Sequence, residues 1–144
     1  MPDPGLLIRS YTPADEDAVV ALWDRCGLTR PWNDPRKDIA RKLALQREMF
    51  FVATVGETLV GTLMAGYEGH RGWLNYLGVD PARRRQGIAR RLVAEAEHTL
   101  LVLGCPKVNL QVRAGNAEAV GLYTALGYQM DDVVSLGRRL VSDL

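Results

Sequence analysis

The sequence predicts one α/β (α+β) domain, in which a mixed central β-sheet of six to seven strands carries four helices on its faces. Apolar strand-like runs and amphipathic helix-like segments follow one another in the order β-α-α-β-β-β-α-β-α-β. Hairpin turns join the middle strands and a β-α-β succession follows them, which favours both antiparallel and parallel pairing. A chain of 144 residues suffices for one hydrophobic core, so we expect a single domain over residues 1–144.

The first strand and two helices are predicted from local signals. Residues 6–10 form a short apolar run. Thr12 and Pro13 then give a hydroxyl N-cap followed by proline, which is typical of a helix start, and Gly27 is a natural stop. Residues 28–34 contain a proline and precede another, so they cannot be regular helix. A second helix is predicted from Asp34, with Ile39, Leu43 and Gln46 at helical spacing.

The remaining elements follow from the periodicity of apolar residues. Residues 49–55 and 59–67 predict two strands joined by a turn at Gly56, and residues 73–79 predict a third. A long helix follows, with apolar residues on one face from Ile88 to Leu103. Residues 108–112 alternate as a half-buried strand, residues 116–126 predict the fourth helix, and residues 130–140 predict a final strand region interrupted by Gly137.

Composition excludes several classes of protein. The chain has 18 basic and 17 acidic residues, which argues against a general nucleic-acid or membrane-surface binder. Cys26 and Cys105 lie far apart without metal-ligand spacing, so we expect reduced thiols and no metal. The sequence shows neither the features of a signal peptide nor an apolar run that approaches a membrane span, and we expect a cytoplasmic protein.

A basic loop, residues 80–87, joins the strand 73–79 to the long helix. The first turn of a helix leaves backbone N–H groups unpaired at the positive end of its dipole, and phosphate binds readily there. Gly87 and Ala89 would let a phosphate chain approach the backbone, and Arg83, Arg84 and Arg85 add positive charge. The alternative is a solvated basic loop that caps an ordinary helix. Neither the P-loop pattern nor the dinucleotide-binding glycine pattern is present.

Two motifs in this order carry a family resemblance. Arg84-Arg85-Gln86-Gly87-Ile88-Ala89 is similar to R/Q-x-x-G-x-G/A, the acetyl-CoA loop of the GCN5-related N-acetyltransferase (GNAT) superfamily. The segment from Asn116 through Tyr123 to Gly127-Tyr128 resembles the family's N-x-x-A-x-x-x-Y-x-x-x-G-[FY] element. The resemblance covers essentially the whole chain. It implies the GNAT fold and an N-acetyltransferase that moves an acetyl group from acetyl-CoA to a primary amine by direct attack in a ternary complex.

The resemblance also implies which residues bind acetyl-CoA. The loop Arg84, Arg85, Gln86, Gly87, Ile88 and Ala89, with Arg90 after it, would cradle the pyrophosphate. Backbone groups of Leu77, Gly78 and Val79, on a strand that is splayed in the family, would pair with the pantetheine arm, and an N–H near Leu77 would polarise the thioester carbonyl. Gly78 suits a bulge or a close backbone approach, although a glycine that merely ends a strand would look the same. Asn116 would hold pantetheine, cap its helix, or do both.

Catalytic roles are implied in the same way. Tyr123 matches the tyrosine that protonates the departing sulfur in family members, and the alternative is a ring that only packs on the cofactor. The general base is less defined. Glu68 and His70 could reach the acceptor amine, Asp34 and Glu48 are further candidates, and several family members use a chain of waters instead.

The acceptor site is expected where the connection between the first two helices, residues 30–35, meets Arg71. Arg30, Arg71 and Trp32 could bind a carboxylate and an apolar part of a small acceptor, with Asn33 and Asp34 beside them. Alternatively, Trp32 is a core residue and the arginines pair with Asp34 or Glu68. Together with residues 66–72, this connection resembles the bacterial YpeA subgroup of the family.

Three other functions remain open at this point. The acceptor could be a protein N-terminus, as in ribosomal-protein acetyltransferases, or the protein could bind acyl-CoA as a regulatory module without turnover. A sensor needs no acid for a leaving group, so Tyr123 argues against that module. Nucleic-acid binding through residues 83–91 fits poorly, because aromatic residues are absent from that stretch. We therefore expect a small-molecule amine or peptide as partner, no nucleic acid or membrane, and a homodimer as one state that is common in the family.

Overall fold

A five-stranded mixed sheet forms the centre of the fold in the computed structural model, which describes residues 4–144. Its strands, in spatial and sequence order alike, are β1 (Leu6–Ser10), β2 (Phe50–Val55), β3 (Thr58–Tyr67), β4 (Gly72–Val79) and β5 (Val108–Leu110). Neighbours from β1 to β4 pair antiparallel, and β5 pairs parallel to β4. The predicted mixed α/β architecture is therefore confirmed.

Four helices cover the two faces of this sheet. They are α1 (Glu16–Arg25), α2 (Pro35–Ala44), α3 (Ile88–Val102) and α4 (Ala117–Ala125). The predicted start at Pro13 is a 3₁₀ turn that leads into α1. Asp34 caps α2 by accepting hydrogen bonds from the backbone N–H groups of Arg36 (2.9 Å) and Lys37 (3.3 Å). Gln46 lies beyond the end of α2, and its side chain bonds both backbone groups of Tyr67 on β3.

The core consists of two apolar layers, one on each side of the sheet. On one side, Leu92, Ala96 and Leu100 of α3 are fully buried against the sheet. On the other side, α1 and α2 pack Trp23 and Ile39, both fully buried, against β2 and β3. The strand β5 ends the sheet on one side, and its residues border the candidate site.

The sheet has fewer strands than the predicted six to seven, because residues 130–140 form no strand. Val133, Val134 and Leu136 are 77%, 85% and 90% exposed. Their spacing does not place them on one face of a period-two strand, and Gly137 interrupts the run. The neighbouring strand β5 pairs over only three residues, so it offers little ladder to extend. The predicted strand 108–112 likewise stops at Leu110.

The C-terminal tail, residues 137–144, crosses instead to α2. The Asp143 carboxylate bonds the Arg41 guanidinium (2.5 Å) and accepts a hydrogen bond from the Asp34 N–H (2.8 Å), and its side chain is 1% exposed. Arg139 donates to the side-chain oxygen of Asn33. The tail is thereby attached to the connection between α1 and α2.

Candidate active site

An open seam between β4 and β5 borders a large cleft. The two strands pair only where Gly72–Leu74 meet Val108–Leu110, so the rest of β4 has no strand partner on that side. A cleft of about 1990 Å³ begins there and is bordered by Leu77, Asn116 and Tyr123. The seam exposes backbone hydrogen-bonding groups of β4 to a ligand.

A β-bulge distorts β4 beside this seam. Thr62 of β3 faces Gly78, while Met64 faces Asn75, so β4 carries one extra residue there. Tyr76 adopts a left-handed backbone with φ of 55°, which is uncommon for a residue other than glycine. The bulge places Leu77 at the wall of the cleft.

Buried hydrogen bonds hold the bulge in this conformation. The Trp23 indole N–H donates to the Thr62 hydroxyl (2.9 Å), which itself donates to the Tyr76 carbonyl (2.9 Å). The Tyr76 ring stacks on Trp23 with centroids 3.9 Å apart, and its hydroxyl donates to Asp38 (2.6 Å). Burial and the nearby Asp38 carboxylate raise the pKa of Tyr76 well above its usual value. Side chains from α1, β3 and α2 therefore determine the shape of β4 at the cleft.

Gly78 flanks the bulge, because the register shifts between its pair with Thr62 and the pair of Asn75 with Met64. Its pairing with pantetheine stays a prediction. A Cβ atom at this position would lie 3.0 Å from Leu28 Cδ1 and 3.4 Å from Cys26 Sγ. The glycine permits close packing of β4 against the end of α1.

The basic loop leads into an uncapped helix start. Gly87 is the N-cap residue of α3, with φ of 81°, and it has no side chain to accept from the first N–H groups. A Cβ atom there would meet nothing within 4 Å, so the space in front of the helix is open. Ile88 is 3% exposed and fixes the start of α3 in the core. This geometry suits an anion at the helix terminus.

The other residues of the loop surround this terminus. Arg84, Arg85 and Arg90 are exposed, while Gln86 and Ala89 are half-buried. The Arg84 guanidinium lies 3.7 Å from the Glu118 carboxylate of α4, a pair that is largely exposed to solvent. The loop therefore approaches α4 through Arg84.

Tyr123 of α4 lies on the cleft wall opposite β4. Its ring packs edge-on against Tyr128 with centroids 5.8 Å apart, and burial raises its pKa to about 12. Within residues 4–144 its hydroxyl has no hydrogen-bond partner. The Asn116 side-chain oxygen accepts from the Ala119 N–H (3.1 Å), so its capping role is observed, and the residue also borders the cleft.

The residues predicted as general bases lie outside the cleft lining. Glu68 and His70 occupy the exposed turn between β3 and β4, where the Glu68 carboxylate accepts from the Arg71 N–H (3.2 Å). Asp34 is committed to capping α2. Arg71 itself borders the cleft and donates to the His70 carbonyl (2.9 Å).

The predicted acceptor residues are divided between two places. Arg30 borders the cleft and donates to the carbonyls of Gly27 (2.8 Å) and Thr29 (2.9 Å), rather than to a carboxylate. Trp32 is 47% exposed, so the alternative of a core residue is wrong. Its ring lies 5.8 Å from the guanidinium carbon of Arg113, and the hollow that it borders also contains Arg138 and Arg139.

Sequence reasoning missed Thr62, Asp38 and these three arginines. The hydrogen bonds of Thr62 and Asp38 cross between distant segments, and no local pattern indicates them. The Arg138-Arg139 pair was a local signal, but the expected strand there concealed that it could face Trp32.

Comparison with known proteins agrees with this geometry. Residues 16–128 match the model of the acetyltransferase (GNAT) family. The chain belongs to the GNAT acetyltransferase family. An acetyltransferase of Pectobacterium atrosepticum is 47% identical over 136 residues, which cover 94% of this chain and 96% of that GNAT relative.

Solved structures share the GNAT fold. AAC(6′)-Iy in complex with the bisubstrate analogue CoA-S-monomethyl-acetylneamine superposes with a TM-score of 0.77 at 18% identity, over 94% of this chain and 99% of the other. The ribosomal-protein-S18-alanine N-acetyltransferase of Escherichia coli gives a TM-score of 0.70 at 28% identity, over 85% and 76%.

No helix within residues 4–144 has the length and apolar character needed to cross a bilayer. The same residues contain no group of three or more His, Cys, Asp or Glu side chains placed to hold a metal ion.

Proposed function

We propose that this protein transfers an acetyl group from acetyl-CoA to a primary amine of a small molecule or peptide, by direct attack in a ternary complex. One observation carries the proposal: beyond its three-residue pairing with β5, β4 borders a large cleft whose wall includes Leu77, Asn116 and Tyr123, and β4 is followed by the basic loop and the uncapped start of α3. AAC(6′)-Iy has a like fold and was solved with an analogue that joins CoA to an acetylated amine, which supports this class of reaction.

The loop residues would bind the phosphates of acetyl-CoA. Gly87 leaves room at the helix terminus, where the N–H groups of Ile88, Ala89 and Arg90 point toward an anion. The side chains of Arg84, Arg85 and Gln86 would surround it. Backbone groups of Leu77, Gly78 and Val79, which β5 leaves unpaired, would bond the pantetheine arm, with the Asn116 amide on the opposite wall.

Acetyl-CoA supplies an activated acyl group as a thioester. The Leu77 N–H, positioned by the bulge, would donate to the carbonyl oxygen on which negative charge develops. Tyr123 would donate its phenolic proton to the sulfur while the carbon–sulfur bond breaks and the amine nitrogen bonds to the acyl carbon. Its high pKa keeps the proton on the phenol at neutral pH.

Removal of the amine proton would proceed through water. Glu68 and His70 remain the proposed ultimate acceptors, but they lie outside the cleft lining, so ordered water would connect them to the amine. Arg30, Trp32, Asn33, Asp34 and Arg71 would form the acceptor side, with Asp34 acting through its cap of α2. We place the protein in the cytoplasm, where acetyl-CoA and amines occur together, as a monomer or homodimer.

Protein N-terminal acetylation is the second candidate. It is favoured by the likeness to the ribosomal-protein-S18-alanine N-acetyltransferase, at 28% identity. An amine panel that includes peptides separates the two acceptor classes.

The first experiment is calorimetry with acetyl-CoA on the wild type, Gly87→Glu and the matched control Gly56→Glu. Both glycines have positive φ, 81° and 60°, and open space, but Gly56 lies in the β2–β3 turn. A carboxylate in the phosphate site should weaken acetyl-CoA binding roughly a hundredfold or more. The control variant shares only the backbone strain of a residue other than glycine at positive φ, so its affinity should stay near that of the wild type. Thiol release against amines and peptides then identifies the acceptor. Absence of acetyl-CoA binding by the wild type, or equal affinity of Gly87→Glu, would contradict the proposal.

A further inference from the structure

A second hollow, of about 900 Å³, lies between the C-terminal tail and the connection from α1 to α2. Its wall carries one aromatic side chain and four guanidinium groups, from Trp32, Arg41, Arg113, Arg138 and Arg139. Gln111 and Arg113 border this hollow and the large cleft alike. The hollow therefore adjoins the proposed reaction site, and its volume suits a small molecule.

The charge of this hollow is not neutralised. Arg41 is bound by the carboxylates of Asp38 (3.0 Å) and Asp143 (2.5 Å). Arg113, Arg138 and Arg139 have no carboxylate partner within residues 4–144, and no acidic residue lines the hollow. Three guanidinium groups around a concave surface create a positive potential that attracts an anion.

The same residues favour a particular shape of ligand. Guanidinium groups bind carboxylate and phosphate through paired N–H donors. Trp32 is 47% exposed and presents its ring beside Arg113, whose guanidinium carbon is 5.8 Å from the ring centroid. An indole face of this kind packs against a flat or apolar group. The wall thus combines an anion site with an aromatic surface.

We propose that this hollow binds a carboxylate or phosphate of the acceptor, so that the acceptor is an amine that carries a negative charge. The inference rests on the proposed transferase function for its biological meaning. Arg138 and Arg139 hold the anion, Arg113 connects the hollow to the cleft, and Trp32 packs against the body of the acceptor. The acceptor's amine then extends past Gln111 toward Leu77 and Tyr123.

The tail makes this site possible. Asp143 bonds Arg41 and the Asp34 N–H, and Arg139 donates to Asn33, so the two arginines of the tail are held over Trp32. A free tail would leave Trp32 on an open surface. The substrate specificity is therefore built from two segments that are about a hundred residues apart in sequence.

The test uses anions that need no turnover. The indole ¹⁵N–¹H resonance of Trp32, assigned with Trp32→Phe, is followed while the full chain is titrated with benzoate, phenyl phosphate or neutral benzyl alcohol. We expect saturable shifts with one or both anions and at least fivefold weaker binding of benzyl alcohol. The stronger of the two anions identifies carboxylate or phosphate as the preferred group. Equal binding of the neutral alcohol would overturn the proposal.

A variant and its control locate the site. Arg138→Gln combined with Arg139→Gln should weaken the anion at least fivefold, whereas Arg47→Gln, on the exposed turn before β2, should leave it unchanged. Unchanged affinity in the double variant contradicts the proposal. If that variant does not fold, the salt dependence of anion binding to the wild type is the test, because binding to these arginines must weaken as salt rises.

Different experimental results would contradict the transferase proposal and the anion-site proposal. Anion binding at Trp32 with no thiol release on any amine or peptide would overturn the transferase proposal and leave the anion site standing. Conversely, if thiol release proceeds equally with phenylalanine and its decarboxylated analogue phenethylamine, while neither benzoate nor phenyl phosphate binds, the transferase remains and the anion site is refuted. The preference for phenylalanine over phenethylamine is expected to be about tenfold or more in kcat/KM.

Discussion

At the scale of single residues, burial determines the protonation state of Tyr123, the proposed acid. Its ring is packed between α4 and Tyr128, and removal from water raises its pKa to about 12 by penalising the phenolate. The phenol is therefore protonated at every pH at which the protein would work. A thiol has a pKa of only about 8.5, so transfer of the Tyr123 proton to a free thiolate is uphill, and the proposed acid role requires the proton to move as the carbon–sulfur bond breaks.

Replacement of Tyr123 by phenylalanine is expected to lower kcat roughly a hundredfold and to change the Kd of acetyl-CoA by less than about twofold, because only the proton donor is lost. Tyr128→Phe is the matched control, since the Tyr128 hydroxyl already donates a hydrogen bond to the Glu97 carboxylate (2.8 Å). Single-turnover kinetics and calorimetry measure both effects. An unchanged kcat in Tyr123→Phe would refute the acid role.

The pKa of Tyr123 also predicts a dependence of stability on pH. The value is raised in the folded state relative to about 10 in the unfolded chain, so the folded state holds its proton more tightly. The contribution of the Tyr123 proton to the stability of the folded state is complete below about pH 10 and is lost as pH rises through 12. Tyr123→Phe should therefore reduce the fall in stability between these two pH values.

At the scale of elements, β4 is shaped by its neighbours on the opposite side from the cleft. The chain of hydrogen bonds from Trp23 through Thr62 to the Tyr76 carbonyl is fully buried at Thr62, where water cannot replace a lost partner. A strand with a residue at φ of 55° is retained only when such contacts compensate for it. The position of the Leu77 N–H therefore depends on side chains that do not touch the cleft.

Thr62→Val tests this dependence. The substitution removes the hydroxyl with little change of shape and leaves the Trp23 N–H and the Tyr76 carbonyl unpaired. We expect each unpaired group to lower the free energy of unfolding by about 1–3 kcal/mol. We also expect kcat to fall with little change in the Kd of acetyl-CoA. Urea unfolding and steady-state kinetics measure the two effects.

Thr62→Ser is the matched control for this prediction. It keeps the hydroxyl and loses one methyl group, which costs about 1 kcal/mol, so kcat should be restored. If the valine variant is unstable but fully active, Thr62 has only a structural role.

At the scale of the whole molecule, the tail connects the last residues of the chain to the second helix. Arg41 and the Asp34 N–H hold the Asp143 carboxylate, and together they lower its pKa to about 2. A depressed pKa means that this attachment is complete above about pH 4, the unfolded value, and is lost as pH falls through 2. The tail should therefore detach from the surroundings of Trp32 in acid, before the core unfolds.

Asp143→Asn should release the tail at neutral pH. Hydrogen exchange of residues 137–144 is expected to rise roughly tenfold, the effect of losing a charge-assisted hydrogen bond, while exchange in β2 and β3 stays unchanged. Asp131→Asn is the control, since Asp131 forms a half-exposed pair with Lys107 (2.8 Å) in the segment that leads to the tail. Mass spectrometry measures both. Equal exchange in the wild type and Asp143→Asn would show that other contacts hold the tail.

The sequence by itself determined the helices, the first four strands and the basic loop at the start of α3. These depend on contacts between near neighbours: the Asp34 cap, Gly27 and Gly87 with positive φ, and the apolar period along α3. The residues that make up each signal lie close together in the sequence, so the signal can be recognised without knowledge of the tertiary structure. The motif that includes Tyr123 was found for the same reason.

Only the tertiary structure decided the rest. The bulge between Asn75 and Gly78 is held at Tyr76, whose carbonyl accepts a hydrogen bond from Thr62, which in turn accepts one from Trp23. Residues 130–140 form no strand because β5 offers a ladder of three residues and Asp143 binds α2 instead. These outcomes depend on segments that meet only after folding, and strand formation depends on its partner more than on intrinsic preference. For the same reason, the arginines around Trp32 are Arg113 and two residues of the C-terminal tail, Arg138 and Arg139, and not Arg30.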